Sequence, residues 1–431
     1  MKISVIGTGY LGITHAVCMS ELGHSVIGVD SDNIRIERQK NGNPTIFEPY
    51  LDEMLSRNLK KRRIKFSTNF ADIEEADVHF ICVGTPEYKG GGYDMSQVMA
   101  AVNSVLDFCK PNSLIVGKST VPPGTMKSLE ELALRRGLVH LDFAWNPEFL
   151  REGIAVMDTL KPSRIVIGTR NAHTAAKLKQ LYEPILTAGV DLIETDPETS
   201  ELIKVAANSF LAMKISFING YTQLCKEVGA NPIVLSKSLG LDHRIAPSFL
   251  NPGLGFGGAC LPKDLKAAAW GAGAHNVKSL QRLFEATQNI NEEMHNVAVD
   301  TIMSVISQAK NRTLGVLGLT FKPGTDDIRE SPAMRVVNEL LMRGINVVAH
   351  DPLANEPTFK DSGYKRVERV EQIFDETNVV ALLTEWPEYK EIIPPKALNE
   401  SIVLDFRYAL DQKIWNGLNW EFLTLSTQMK N

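Results

Sequence analysis

The sequence predicts an α/β chain with two doubly wound parallel sheets, joined by a long central helix and a helical middle segment. Three observations carry that expectation. Apolar strand-like runs alternate with helical patterns through the first 168 residues or so, a helical apolar periodicity then runs from Asp196 to about Ala230, and a second strand–helix alternation opens at TLGVLGL, residue 313. The expected divisions are 1–195, 196–308 and 309–431.

In chain order, KISVIG reads as a strand and residues 11–22 as a helix. HSVIGVD, VHFICVG, SLIVGKST, HLDFAWNP and RIVIG are further strands, with helices near 96–109 and 124–136. Parallel strands buried on both faces read as such near-continuous apolar runs. The middle segment opens with ELIKVAANSFLAMKISFINGYTQLCKEV and continues with helix around 231–239 and 277–308. In the last division TLGVLGL and INVVAHDP flank the helix SPAMRVVNELLMRG, for which Gly344 is a fitting C-terminal stop, and NVVALLT and SIVLDFR follow.

At 431 residues the chain is too long for one core. Its 44% hydrophobic and 23% charged residues are ordinary for a globular protein. A net charge of -5 supplies no general basic field for nucleic acid. MKISVI runs straight into a glycine loop, leaving no room for a signal peptide, and no apolar run reaches membrane-spanning length, so the expected location is the cytoplasm with no membrane partner. The five cysteines form no CxxC pair and no His-Cys cluster, which argues for reduced thiols and no metal. A long helix linking two lobes is a common place for self-association, and a homodimer is the hypothesis it raises.

Gly7-Thr8-Gly9-Tyr10-Leu11-Gly12 follows the first strand and opens a helix, and Asp30 ends the next strand eighteen positions later. Glycines permit the tight turn and close approach of backbone to a pyrophosphate, the helix start supplies amides, and an acidic side chain accepts from ribose hydroxyls. In that context the motif predicts a Rossmann-like dinucleotide site rather than a plain glycine turn. Asp30 repels a 2′-phosphate and favours NAD, whereas nearby Arg35 leaves NADP open. Thr85 and Thr120 lie at the carboxyl ends of later strands, where ligands bind in such sheets.

Cys260 follows a loop holding Gly253, Gly255, Gly257 and Gly258 and precedes Pro262, a residue suited to a first helical turn. A thiolate at a helix start beside Lys263 is stabilised and reactive. Cys18, Cys82, Cys109 and Cys225 fall in helical or apolar strand patterns and read as fillers. Lys204 and Asn208, four apart on the long helix, share a face that is either a solvated polar pair or a functional one. Glu148, Lys322 and Arg329 carry the same two readings on residues alone.

GTGYLG, STVPPGT (119–125), NPEFLREG (146–153), ELIKVAANSFLA (201–212), GFGGACLPKD (255–264) and FKPGTDDIRES (321–331) occur in the order found in the UDP-glucose/GDP-mannose dehydrogenase family, which this chain resembles over nearly its whole length. IFEPYLDEML and LKPSRIVIG are closer to its UDP-glucose branch. The resemblance implies four-electron oxidation of a nucleotide sugar at C6, with Cys260 forming a thiohemiacetal and then a thioester. Lys204 and Asn208 would stabilise charge on oxygen, Asp264 would orient Lys204 or a water, and Thr120 and Glu148 would position water. Substrate contacts carried over are Glu148, Phe149, Leu150, Arg151, Lys204, Asn208, Arg244, Phe249, Leu250, Asn251, Pro252, Gly253, Gly257, Lys322 and Arg407. Cofactor contacts are the glycine loop, Asp30, Arg35, Thr85, Thr120, Glu152, Lys263 and Arg329. Ala259 stands where the family usually has serine, and Gly220 where an acidic residue is common.

Three rivals remain at this level: a 6-dehydrogenase of GDP-mannose or another nucleotide sugar, a simple two-electron NAD dehydrogenase, which needs no cysteine, and a noncatalytic nucleotide-sugar sensor.

Overall fold

The computed structural model describes residues 1–307, 312–354, 363–397 and 400–428. Its contacts divide the chain into two compact units, Met1–Ala207 and Asn208–Asn431, the division falling within the helix Pro197–Val228. Both units are α/β with parallel sheets. The helix expected at 277–308 is Lys278–Ile306, and residue 308 lies outside the described residues.

The first unit holds eight strands: β1 Lys2–Ile6, β2 Ser25–Val29, β3 Ile64–Ser67, β4 Val78–Ile81, β5 Leu114–Gly117, β6 Asp142–Trp145, β7 Arg164–Gly168 and β8 Asp191–Thr195. Their order is β3-β2-β1-β4-β5-β6-β7-β8, and every pairing is parallel except β6 with β7. Successive strand residues feed opposite faces, as the pleat requires. Val78, Phe80, Leu114 and Val116 join the core around the helix Tyr10–Glu21, whereas Ile81 and Ile115 join the core around the helix Ser96–Phe108.

The second unit repeats the plan with β9 Thr313–Leu317, β10 Asn346–His350, β11 Lys365–Arg366, β12 Val379–Leu382, β13 Ser401–Asp405 and β14 Trp420–Thr424. The order β11-β10-β9-β12-β13-β14 is parallel throughout. The direction of winding reverses between β1 and β4 in one sheet and between β9 and β12 in the other, and loops at such points form the natural ligand crevice. Gly344 takes φ +76 just past the helix Pro332–Met342, as a C-terminal stop should. No helix among the described residues is long and apolar enough to cross a membrane.

His79 of β4 is fully buried with Nδ1 2.7 Å from Ser4 Oγ, and burial, helped by Lys177 and Lys110, pushes its pKa down to about 3. The unfolded ring titrates near 6.5, so between those values the unfolded chain binds the extra proton. Stability from the neutral ring is therefore full above pH 6.5 and is lost as pH falls toward 3. His15, also buried, is lowered by the same cause. Thermal melts are expected to show the first unit weakening by up to about 1.4 kcal/mol per pH unit for each such ring below pH 6.5, with a shallower slope in His79→Gln. An unchanged slope would remove His79 from the account.

Candidate active site

The turn after β1 is shaped for close backbone approach. Gly7 takes φ +85, and a side chain there would meet Val83 Cγ1 at 2.8 Å; one at Gly12 would strike the Gly7 carbonyl. At Gly9, by contrast, there is open space. Gly9 also caps the helix Tyr10–Glu21 without a side-chain hydrogen bond, so the first amides of that helix receive no side-chain cap. Open room in front of uncapped amides is what a pyrophosphate requires.

Asp30, at the end of β2, is 6% exposed. Its carboxylate accepts from Thr8 N at 2.7 Å, Asp32 N at 3.0 Å and Arg35 Nη1 at 2.8 Å. Burial alone would raise its pKa; these donors reverse the sign and hold it below the usual carboxylate range. Arg35 also lies 3.5 Å from Asp32, so two carboxylates balance the one guanidinium and a 2′-phosphate would meet net negative charge. The residues fit NAD. Across the switch point, Thr85 Oγ1 donates to the Thr120 carbonyl at 2.8 Å, tying the ends of β4 and β5.

At the end of β6, Glu148 Oε1 lies 2.9 Å from Lys204 Nζ, both largely buried. Glu148 Oε2 accepts from Leu150 N at 2.5 Å, and Lys204 sits 5.7 Å from the Phe149 ring centre. Arg151 is clasped by Asp158 and mostly exposed. Lys118, to which the sequence assigned no role, is 7% exposed and donates to Asn146 O and Oδ1 at 3.3 and 3.0 Å. Burial pushes its pKa down to about 8, with Cys82 and Glu148 opposing the fall and Lys204 adding to it. A lysine that closes the apolar strand LIVG was the available signal.

In the second unit Cys260 caps the helix Leu261–Ala274, with Pro262 in its first turn, and its thiol is exposed. Cys18, Cys82 and Cys225 are buried and Cys109 is half-buried. Burial pushes the Cys18 and Cys82 thiols up to about 12. Asp264, one turn on and 1% exposed, accepts from Asn208 Nδ2 at 2.6 Å and from Lys263 Nζ at 2.8 Å. The preceding loop is pinned by groups that no local motif reveals. Asn291 clamps Phe256 through both N and O at 2.8 and 3.1 Å, Asn219 Oδ1 accepts from Gly253 N, and Ser236 donates to the Leu250 carbonyl. A side chain at Gly257 would strike the Glu330 carbonyl.

Arg407, after β13, donates Nε to the Leu383 carbonyl at 2.6 Å and lies 3.3 Å from Glu385. Its Nη2 is buried with no protein acceptor, and its Nη1 lies 3.3 Å from where a side chain at Gly253 would begin. A guanidinium with an unsatisfied buried donor beside a glycine loop suits an anionic ligand oxygen. Lys322 is half-buried, 5.5 Å from the Phe321 ring centre. Arg244 and Arg329 are exposed and chelated by Asp242 and Asp327; Phe249 is half-buried, Leu250 and Pro252 buried, Asn251 exposed, and Glu152 half-buried.

A dinucleotide cradle of this kind serves hydride transfer, and the chain is an NAD-dependent oxidoreductase. It belongs to the UDP-glucose/GDP-mannose dehydrogenase family. The family's NAD binding domain matches residues 1–186, its central domain 198–293 and its UDP binding domain 315–412. The chain is 38% identical to UDP-glucose 6-dehydrogenase of Rickettsia conorii over the full length of both, and 37% identical to UDP-glucose 6-dehydrogenase TuaD of Bacillus subtilis over 94% of this chain and 89% of that one. Among solved structures it is similar to a UDP-glucose dehydrogenase from Pyrobaculum islandicum, with TM-score 0.89, 35% identity, and coverage of 99% and 98%.

Proposed function

We propose that the chain oxidises C6 of UDP-glucose to the carboxylate of UDP-glucuronate, a polysaccharide precursor, with Cys260 as covalent nucleophile. The observation that carries this reading is the exposed Cys260 thiol at a helix start, behind a glycine loop no side chain could share. When bound, NAD would supply the oxidant, two molecules in succession each taking one hydride from C6; the water held by Glu148 and Thr120 takes the C6 hydroxyl proton as the first hydride leaves. Between those events Cys260 Sγ adds to the C6 aldehyde and keeps the carbon from leaving. Lys204 Nζ places positive charge against the C6 oxygen as it turns anionic. Glu148, with Thr120, orients the water that attacks the C6 thioester; Glu148 takes its proton, and the C–S bond breaks to restore Cys260. Asn208 and Asp264 hold one another in place for this chemistry. Lys322, Arg407 and the Phe249–Gly253 loop hold the nucleotide diphosphate.

The remaining assignments, Phe149, Leu150, Arg151, Arg244 and Gly257 to substrate and Glu152, Lys263 and Arg329 to NAD, belong to the same proposal, as do the divisions 1–195, 196–308 and 309–431. We further propose a cytoplasmic homodimer. Phe210, Phe217, Tyr221, Leu224 and Val228 recur on one side of the helix Pro197–Val228 and are each 41% exposed or more, a stripe that water does not favour.

The test supplies UDP-glucose, GDP-mannose and UDP-N-acetylmannosamine separately with NAD and counts NADH per sugar consumed, with light scattering on the same sample. Two NADH per UDP-glucose, little turnover of the other sugars and twice the chain mass are expected. One NADH per sugar would make the protein a two-electron enzyme, and preference for GDP-mannose would reassign the sugar.

A further inference from the structure

Glu48 stands in the segment IFEPYLDEML and has no role in the chemistry above, yet it is 4% exposed and its carboxylate gathers donors from two separate stretches of chain. It accepts the Tyr10 hydroxyl, and also Gly153 N at 2.8 Å and Val156 N at 3.3 Å. Gly153 N donates as well to Tyr10 Oη at 3.0 Å. Burial, then Glu48 itself, raises the Tyr10 pKa, so the phenol stays a donor. Tyr10 is the first residue of the helix whose opening amides face the space at Gly9. Gly153 closes the segment that begins with Glu148, and that segment is stiff: Leu150 N is bonded to Glu148, and Arg151 is held by Asp158 through N, Nε and Nη2.

We propose that Glu48 is a positioning residue that couples the two loops, so that seating NAD on the glycine turn sets the placement of the Glu148–Gly153 segment. A buried carboxylate shared between a phenol and two backbone amides transmits displacement, because Gly153 N is bonded both to Glu48 and to the Tyr10 hydroxyl that Glu48 holds; moving Tyr10 carries Gly153 with it. Tyr10 and Gly153 are 143 residues apart in sequence, and the helices Tyr10–Glu21 and Ala155–Leu160 that follow them pack on one another. The coupling is reciprocal: whatever orders the Glu148 segment also tightens NAD.

That the Glu148 segment serves substrate rests on the function proposed above; the coupling itself does not, and the experiment separates them. Hydrogen exchange is followed by mass spectrometry at the peptide containing Gly153–Val156, in the full-length protein with and without NAD and with no sugar present. NAD is expected to slow exchange there about tenfold in the wild type, and less than about twofold in Tyr10→Phe and in Glu48→Gln. Tyr10→Phe removes one oxygen and should fold normally, which a thermal melt checks. In the double variant the loss should equal that of either single change, since both cut the same link. Equal protection in the wild type and Tyr10→Phe, or none in the wild type, overturns the coupling whatever the sugar. Coupling lost in the variants together with no turnover of UDP-glucose by the wild type upholds it and rejects the proposed substrate.

Discussion

Cys260→Ser is expected to lower NADH formation from UDP-glucose at least about 10³-fold and to abolish the second NADH per sugar. A hydroxyl in the same place is far harder to ionise, and the helix start that favours a thiolate gives a neutral oxygen little help. Without a nucleophile on C6 there is no tetrahedral adduct from which a second hydride can leave. The fold should survive, because the side chain is exposed and makes no cap hydrogen bond to its helix, whose first turn carries Pro262. Two readouts check this: NADH per sugar by absorbance, and intact mass after mixing with substrate and NAD, which should show a sugar adduct only when the thiol is present. Brief alkylation should also label Cys260 ahead of Cys18 and Cys82, whose thiols burial holds at about 12. A serine variant that still yields two NADH at near wild-type rate would end the covalent mechanism.

Ten strands are legible as apolar runs in the sequence, and among the described residues these are the ten interior strands of the two sheets. The four that are not, β3, β8, β11 and β14, are the four edges. An interior strand is covered on both faces and paired on both sides, so it reads as a mostly apolar run; an edge strand has one neighbour and keeps more polar residues, as DLIET and the two-residue KR do. The site divides along a similar line. GTGYLG and GFGGACLPKD were legible because backbone approach and a helix start are local requirements. Glu48 and Asn291 were not, since each acts through partners 35 to 108 residues away. Nothing in the residues beside Glu48 announces that its acceptors will be filled from Tyr10 and Gly153.

The two sheets also use one device to different ends. Asp30 ends β2 and accepts from Thr8 N; Asp351 follows β10 and accepts from Leu319 N and Thr320 N. Asp351, however, also takes Thr320 Oγ1, Leu353 N, Ala354 N and Trp386 Nε1, and is 2% exposed. Its lone pairs are spent within the protein, so no ribose hydroxyl finds an acceptor there. The second sheet keeps the architecture of a dinucleotide fold with its acidic acceptor closed off, which leaves the crevice of the first sheet to hold NAD.

Lys204→Met should separate catalysis from stability. The side chains are similar in length, but the ammonium 2.9 Å from Glu148 is gone, and Glu148 remains in a largely buried place without its cation. Breaking such a pair from one side costs about 3–5 kcal/mol. The amide of Leu150 still serves Oε2, which places the expected loss toward the lower end of that range. Turnover should fall about 10²- to 10³-fold with little change in KM for the sugar, because charge on the C6 oxygen develops only along the reaction. Adding Glu148→Gln to Lys204→Met removes the stranded carboxylate, so the double variant should regain most of the thermal stability while kcat stays low. Recovery of both together would mean that Lys204 acts only by keeping the fold intact, and an undiminished kcat in the single variant would take Lys204 out of the chemistry.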